Sequence, residues 1–201
     1  MDIESVKRNF TKRGFNFDFF EDCSCAIEFV TSLIPKKSVI GFGGSVSVMD
    51  SGLFDALKND DYTLLHRYTC PEVAKEDLYQ KMHLADWYIS SSNAVSITGE
   101  LINIDGRANR VGEIINGPKN ILLLCGINKL VDNITDGIDR VRNIASPQNC
   151  VKLKRKTPCA ITGKCSYCNS PDTICNTTVI LHHPTIGRNV YIVLVNKNLG
   201  F

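Results

Sequence analysis

From Ser38 to Val131 the chain alternates short apolar runs with amphipathic segments, joined by connections of a few residues. That alternation is the strongest constraint on the fold. Strands that succeed one another through helices pair in parallel, and a parallel sheet needs apolar cover on both faces. The runs are Ser38–Phe42, Tyr62–His66, Asp86–Ile89 and Asn120–Cys125. Two more apolar segments, Val179–Leu181 and Val190–Val195, close the chain, and the second is rich enough in Val and Ile for a core strand. With 201 residues, 43% of them hydrophobic, the chain suits one domain with a small appendage. The expected fold is α/β, a mostly parallel sheet between helical layers.

Helical spacing fills the gaps. Asp2–Arg13 carries Ile3, Val6 and Phe10 on one face and stops at Gly14. Phe15, Phe17 and Phe19 then alternate as an extended piece. Asp22 caps a helix that turns Ala26, Ile27, Val30 and Ile34 inward and ends at Pro35. Pro71 is expected to open another, with Val73, Leu78, Met82 and Leu84 inward. Asp132–Ala145 reads as a helix stopped by Ser146–Pro147.

The stretch Ser90–Val131 holds the candidate site. If Gly99–Glu100 form a two-residue type II′ turn, Thr98 opposes Leu101, Ile97 opposes Ile102 and Val95 opposes Ile104. Val95, Ile97, Ile102 and Ile104 then bury together, leaving Ser96, Thr98 and Asn103 on a polar face beside Glu100, Asp105, Arg107, Asn109 and Arg110. The run Asn120–Cys125 empties into Gly126 and Lys129, and open α/β sheets place ligands at such strand ends. Upstream, Ser38–Phe42 leads into Gly43–Gly44–Ser45, a strand–turn–helix arrangement that can aim backbone N–H groups at an anion. The expected ligand-binding set is Gly43, Gly44, Ser45, Asn93, Glu100, Asp105 and Lys129, with Glu100 and Asp105 the candidate acid–base pair. Each has a plainer reading: Glu100 and Asp105 as turn residues, Lys129 as a solvated loop lysine.

Nine cysteines form the loudest chemical signal. Four fall within 17 residues of a polar insert spanning about 152–176, as Cys159-x5-Cys165-x2-Cys168-x6-Cys175. Four thiolates suit tetrahedral zinc and equally an iron–sulfur cluster, and the irregular spacing leaves both open. Met1–Thr11 is charged and amphipathic, unlike a secretory leader, so the expected compartment is the cytoplasm, where metal ligation or plain buried thiols outrank disulfides. A net charge of +2 with no basic, aromatic-interleaved strip argues against nucleic acid, and no apolar run approaches a bilayer span. No flavin or nicotinamide motif is present. None of the four histidines stands in a nucleophile context.

The segments SSNAVSITGELINIDGRANRVGEIINGPKNILLLCGINKLV, RVRNIASPQNCVKL, TPCAITGKCSYCNSPDTICN and IGRNVYIVLVNKNLGF resemble the lactate-utilization (LUD) domain family over nearly the whole length, in a stand-alone subtype marked by the cysteine insert. The resemblance implies the Rossmann-like sandwich shared by ribose-phosphate isomerases, CoA transferases and folate cyclo-ligases. It implies an anion contact at Gly41, Gly43, Gly44 and Ser45. The physiological context it carries is L-lactate oxidation by a multi-protein iron–sulfur system, although the tandem ferredoxin motifs of that system's electron carrier are missing here. The expected partners are a small anionic metabolite and other lactate-oxidation subunits, with homo-oligomers a further candidate. Two other functions fit the same residues. One is a stand-alone enzyme on a phosphorylated or CoA-like metabolite; the other is a non-catalytic sensor or assembly factor whose insert is stapled by zinc.

Overall fold

The computed structural model describes residues 2–67 and 69–201. Among the described residues, ten strands run in chain order: β1 Asn16–Phe20, β2 Val39–Phe42, β3 Thr63–Leu65, β4 Trp87–Ser90, β5 Ala94–Ser96, β6 Leu101–Asp105, β7 Asn120–Gly126, β8 Leu130–Val131, β9 Thr177–Leu181 and β10 Asn189–Val195. The α-helices are α1 Ile3–Lys12, α2 Cys23–Leu33, α3 Val46–Asp50, α4 Leu53–Leu57, α5 Lys75–His83, α6 Asn109–Asn116, α7 Ile134–Arg140, α8 Ser146–Lys152 and α9 Pro158–Thr162.

Six strands make one sheet, parallel throughout, in the order β1-β10-β7-β4-β2-β3. β7 shows why it is central: every residue from Ile121 to Gly126 is buried. Leu122 and Leu124 point to one face, where they meet Val30, Leu53 and Leu57 of the helices there. Ile121, Leu123 and Cys125 point to the other, against Phe10 of α1 and Ile114 of α6. The period of two thus feeds two cores, one on each side, and the domain is a three-layer Rossmann-like α/β sandwich. The strand order turns over between β2 and β4. From β2 the chain moves outward to β3; from β4 it moves the other way to β7. Their C-terminal ends open a crevice between diverging loops.

The hairpin departs from expectation. The Ser96 N–H donates to the Glu100 carbonyl (2.8 Å) and the Gly99 N–H to that of Ser96 (3.0 Å). Ile97–Thr98–Gly99 is therefore a three-residue loop, with Gly99 supplying the left-handed φ of +99° at its third position. Val95 pairs with Leu101 and Ala94 with Ile102. The side chains regroup accordingly. Val95 and Leu101 join the core under α1, while Ala94, Ile102 and Ile104 pack with Val141 and Ala145 in a separate small core. Both faces are buried, and the expected polar face does not exist. β8 and β9 flank the hairpin to complete a second, four-stranded sheet, which takes Val179–Leu181 away from the main sheet.

Two helix boundaries also differ. Pro71 lies in a turn, and α5 begins at Lys75, leaving Leu84 exposed. Ser146–Pro147 does not stop its helix. A π-helical turn, Val141–Ala145, joins α7 to α8, and the Ser146 N–H reaches back to the Val141 carbonyl. The wider turn absorbs the proline, whose ring would clash with a carbonyl in a regular α-helix. It also rotates Ile144 out to solvent. No helix among the described residues is long and apolar enough to cross a membrane.

Candidate functional site

A cleft of about 440 Å³ lies at the turnover between β2 and β4. Gly43, Gly44 and Ser45 enter it after β2, Ser91, Ser92 and Asn93 after β4, Lys129 after β7, and Asp105 from the end of β6. Six of the seven expected ligand-binding residues therefore share one cleft. The seventh, Glu100, sits at the far end of the hairpin. Its carboxylate is buried against the Arg13 guanidinium of α1 and accepts from the Thr98 hydroxyl. Its position follows from the corrected register, and it belongs to the scaffold.

Most polar groups of the cleft wall are already engaged. The Asn93 side-chain oxygen accepts from the Ile104 N–H (3.1 Å) and from Arg110 (2.8 Å), while its own N–H donates to the Asn103 side chain (3.0 Å). Arg140, buried, donates to the Asn93 carbonyl (2.7 Å) and that of Asn128 (2.9 Å). Asp105 spends one oxygen on the N–H groups of Arg110 and Val111, both at 3.1 Å, and so caps the first turn of α6. Ser45 caps α3 through the Val48 N–H (3.3 Å), and the Gly43 N–H is taken by the Ile89 carbonyl (3.0 Å). Gly43 is there for clearance: a Cβ on it would lie 2.5 Å from the Tyr88 hydroxyl and 2.7 Å from Ser90 Oγ. Ser90 Oγ itself is buried without a hydrogen-bond partner among the described residues.

What stands out in the cleft is positive charge. Among the described residues, Arg67, Lys75, Arg107, Arg110, Lys129, Lys152 and Arg155 line it, against Asp105 and Glu113. Lys129 is 4% exposed, with its ammonium donating to Ser91 Oγ and the Ser92 carbonyl, both at 3.1 Å. Burial, with Arg140 and Arg110 acting in the same sense, brings it down to about 8 against the opposing pull of Cys125 and Asp50. Lys75 is lowered by burial and by Arg107, Arg67 and Arg155 facing it. The carboxyl of Glu113 is raised by burial, which His83 counters from 3.2 Å. Buried His66 is pushed down by burial and by Arg67. Of these, Arg107 and Arg110 were visible as neighbours of the hairpin; Arg67 and Lys75 carried no local signal and arrive by the fold alone.

The insert docks beside this cleft. The Asn176 N–H and side chain reach the carbonyls of Asp105 (3.1 Å) and Gly106 (2.9 Å). Cys159, Cys165, Cys168 and Cys175 line one cavity of about 220 Å³, together with Cys150 of α8, a fifth thiol outside the insert. Among the described residues no three Cys, His, Asp or Glu side chains close tightly enough to hold a single ion. The Cys150 thiol is raised to about 11, chiefly by burial, with Thr157 opposing and Cys159 adding to the rise. Ser146 lines both cavities, so the π-helical turn and the start of α8 are their common wall. Cys23 and Cys25 at the start of α2 are free thiols and take no part.

These features define an α/β sandwich with a cationic cleft at the turnover of its sheet and a cysteine-lined flap beside it. The fold is similar to the crystal structure of a DUF162 family protein from Deinococcus radiodurans, with a TM-score of 0.56 and 13% identity over 96% of this chain and 95% of that one. None of the curated proteins matches the chain. The LUD domain family model matches residues 3–195, and the chain belongs to the LUD domain family, a family associated with lactate utilization.

Proposed function

We propose that this protein is the anion-binding component of a system oxidising L-lactate or a related 2-hydroxy acid, and that its cysteine flap holds a metal centre, zinc or iron–sulfur. One observation carries the reading: a buried lysine and the Ser91–Ser92 strand end face a cleft whose remaining charge is overwhelmingly basic. A carboxylate at Lys129 would offset the cost of burying that ammonium, while the serine hydroxyls suit a hydroxyl or keto oxygen. The residues fit a metal group to the extent that four insert thiols share one cavity with Arg142 beside them. An iron–sulfur group would supply one-electron transfer there.

A second reading has its own support. The cleft's volume of about 440 Å³ and its outer cations Arg67, Lys75 and Arg107 leave room for more than a three-carbon acid. A phosphorylated or CoA-like metabolite would use both. Calorimetric titration of the full chain with L-lactate, pyruvate, phosphorylated sugars and acyl-CoA compounds separates the two. Binding of the small acids that Lys129→Met abolishes supports the first reading. Binding confined to the phosphorylated compounds replaces it with the second, and no binding of any of them refutes both.

A further inference from the structure

The thiols of the flap stand around a void, not around a point. Four thiolates on one zinc ion lie about 2.3 Å from it, hence under about 4 Å from one another, and admit no water between them. Here the void measures about 220 Å³, against the ~10–15 Å³ that one water requires. No three candidate ligands among the described residues meet closely enough for a single ion. An iron–sulfur core differs in the needed respect. Its irons and sulfides occupy the middle, so the thiolates that hold it stand well apart.

The four insert cysteines are also anchored individually around this cavity. Cys159 lies in the first turn of α9 and is buried beside the Thr157 hydroxyl (3.3 Å). Cys165 and Cys168 flank Tyr167, whose φ of +49° turns the loop back and whose ring lies 4.6 Å beneath the Arg142 guanidinium. The Tyr167 N–H donates to Cys165 Sγ (3.4 Å), and the Cys165 N–H to the Asn143 side chain (3.4 Å). Cys175 packs against the small core that contains Val141 and Ala145. Contraction onto one ion would pull these anchors toward each other; filling the void leaves them where they are. A thiolate-ligated cluster carries net negative charge, and Arg142 lines the void to meet it.

We propose that this cavity seats a polynuclear iron–sulfur cluster, not a single zinc ion, held by Cys159, Cys165, Cys168 and Cys175. The proposal rests on the metal-centre part of the function proposed above and decides its chemistry. Cys150, 1% exposed on α8, is the back wall of the seat, since four thiolates complete the ligand set. Ser146, one turn earlier, faces the void and the anion cleft alike. The cluster therefore lies one helix away from whatever the cleft binds.

The test is to produce the full chain without oxygen and count iron, zinc and acid-labile sulfide per chain, with electron paramagnetic resonance after reduction. More than one iron with matching sulfide and a paramagnetic signal is the expected result. Cys168→Ser should lose at least five-fold in iron and sulfide, while Cys150→Ser keeps both. One zinc per chain without sulfide overturns the cluster yet leaves a metal centre standing. Absence of either metal overturns both. Loss of iron in Cys150→Ser overturns the four-ligand assignment. The wild-type count decides between cluster and zinc even if a variant fails to fold, and ligand titration of the cleft reads out the other half of the proposed function independently.

Discussion

Replacing Lys129 with Met should stabilise the protein at neutral pH and destabilise it at high pH. The ammonium is 4% exposed and is brought from 10.5 to about 8, chiefly by burial. At about 1.4 kcal/mol per tenfold, holding it charged in the fold costs about 3 kcal/mol. At pH 7 the lysine is protonated in both the folded and the unfolded chain, so the folded state bears that cost in full. Above pH 8 the folded amine loses its proton while the unfolded one keeps it up to ~10.4, so the unfolded state binds more protons and stability climbs with pH. By pH 9.5 most of the cost is gone. Met removes the cost at every pH but also removes the bonds to Ser91 and Ser92, worth together about 1–2 kcal/mol. The variant should therefore be about 1–2 kcal/mol more stable than wild type at pH 7, about as stable near pH 9.5, and up to about 1 kcal/mol less stable near pH 10.5. Urea denaturation of both proteins at pH 7, 8.5, 9.5 and 10.5 measures the difference directly. A difference that stays constant across that range, or a variant less stable at pH 7, refutes the reasoning.

Three further outcomes follow from the same geometry. Affinity for a carboxylate ligand should fall as pH rises through about 8, because Lys129 loses the charge that pairs with it; titration at pH 7 and 9 checks this, and equal affinities would remove Lys129 from the site. Gly43→Ala drives a Cβ to 2.5 Å from the buried Tyr88 hydroxyl and should cost about 1–3 kcal/mol in thermal unfolding, with weaker anion binding. Glu100→Gln breaks the pair with partly exposed Arg13 and should cost about 1–2 kcal/mol, while leaving ligand affinity unchanged; a loss of affinity would restore Glu100 to the site.

The main sheet was legible because its strands are short, apolar and separated by helical patterns, and burial on two faces leaves little else for such runs to do. Strand order was not legible, since nothing in Ser38–Phe42 or Asp86–Ile89 says that β2 and β4 lie side by side. Yet once they do, Gly43–Ser45 and Ser91–Asn93 must meet, which is why strand ends alone sufficed to expect those positions in one cleft. The hairpin register failed for a specific reason. Gly99 suits either the first position of a two-residue turn or the left-handed third position of a longer loop, and alternation cannot arbitrate when both faces are buried. Glu100 was misassigned as a direct consequence. Its partner, Arg13, lies 87 residues away, and only the tertiary fold brings it there. The helix through Pro147 was hidden in the same way, because a π turn is a tertiary accommodation that local propensity does not announce.

The division of labour inside the cleft bears on what it can bind. Amides and carboxylates are the groups most often invoked for hydrogen-bonding specificity and acid–base chemistry, and here Asn93, Asn103 and Asp105 hold the walls together. Asn93 and Asn103 are locked by Arg110 and by neighbouring amides, and Asp105 caps α6. Among the described residues, the charged groups lining the open volume are mostly cationic, Lys129, Lys75, Arg67 and Arg107 among them, with the Ser91 and Ser45 hydroxyls beside them and Glu113 and Asp105 the carboxylates against them. A neutral sugar or an amine would find few acceptors there. An anion would find an ammonium already carrying its desolvation cost, so part of the penalty of forming a buried ion pair would have been met during folding. The basic side chains thus do more than set the sign of the ligand. They would give the proposed anion a driving force for binding that does not depend on any single hydrogen bond.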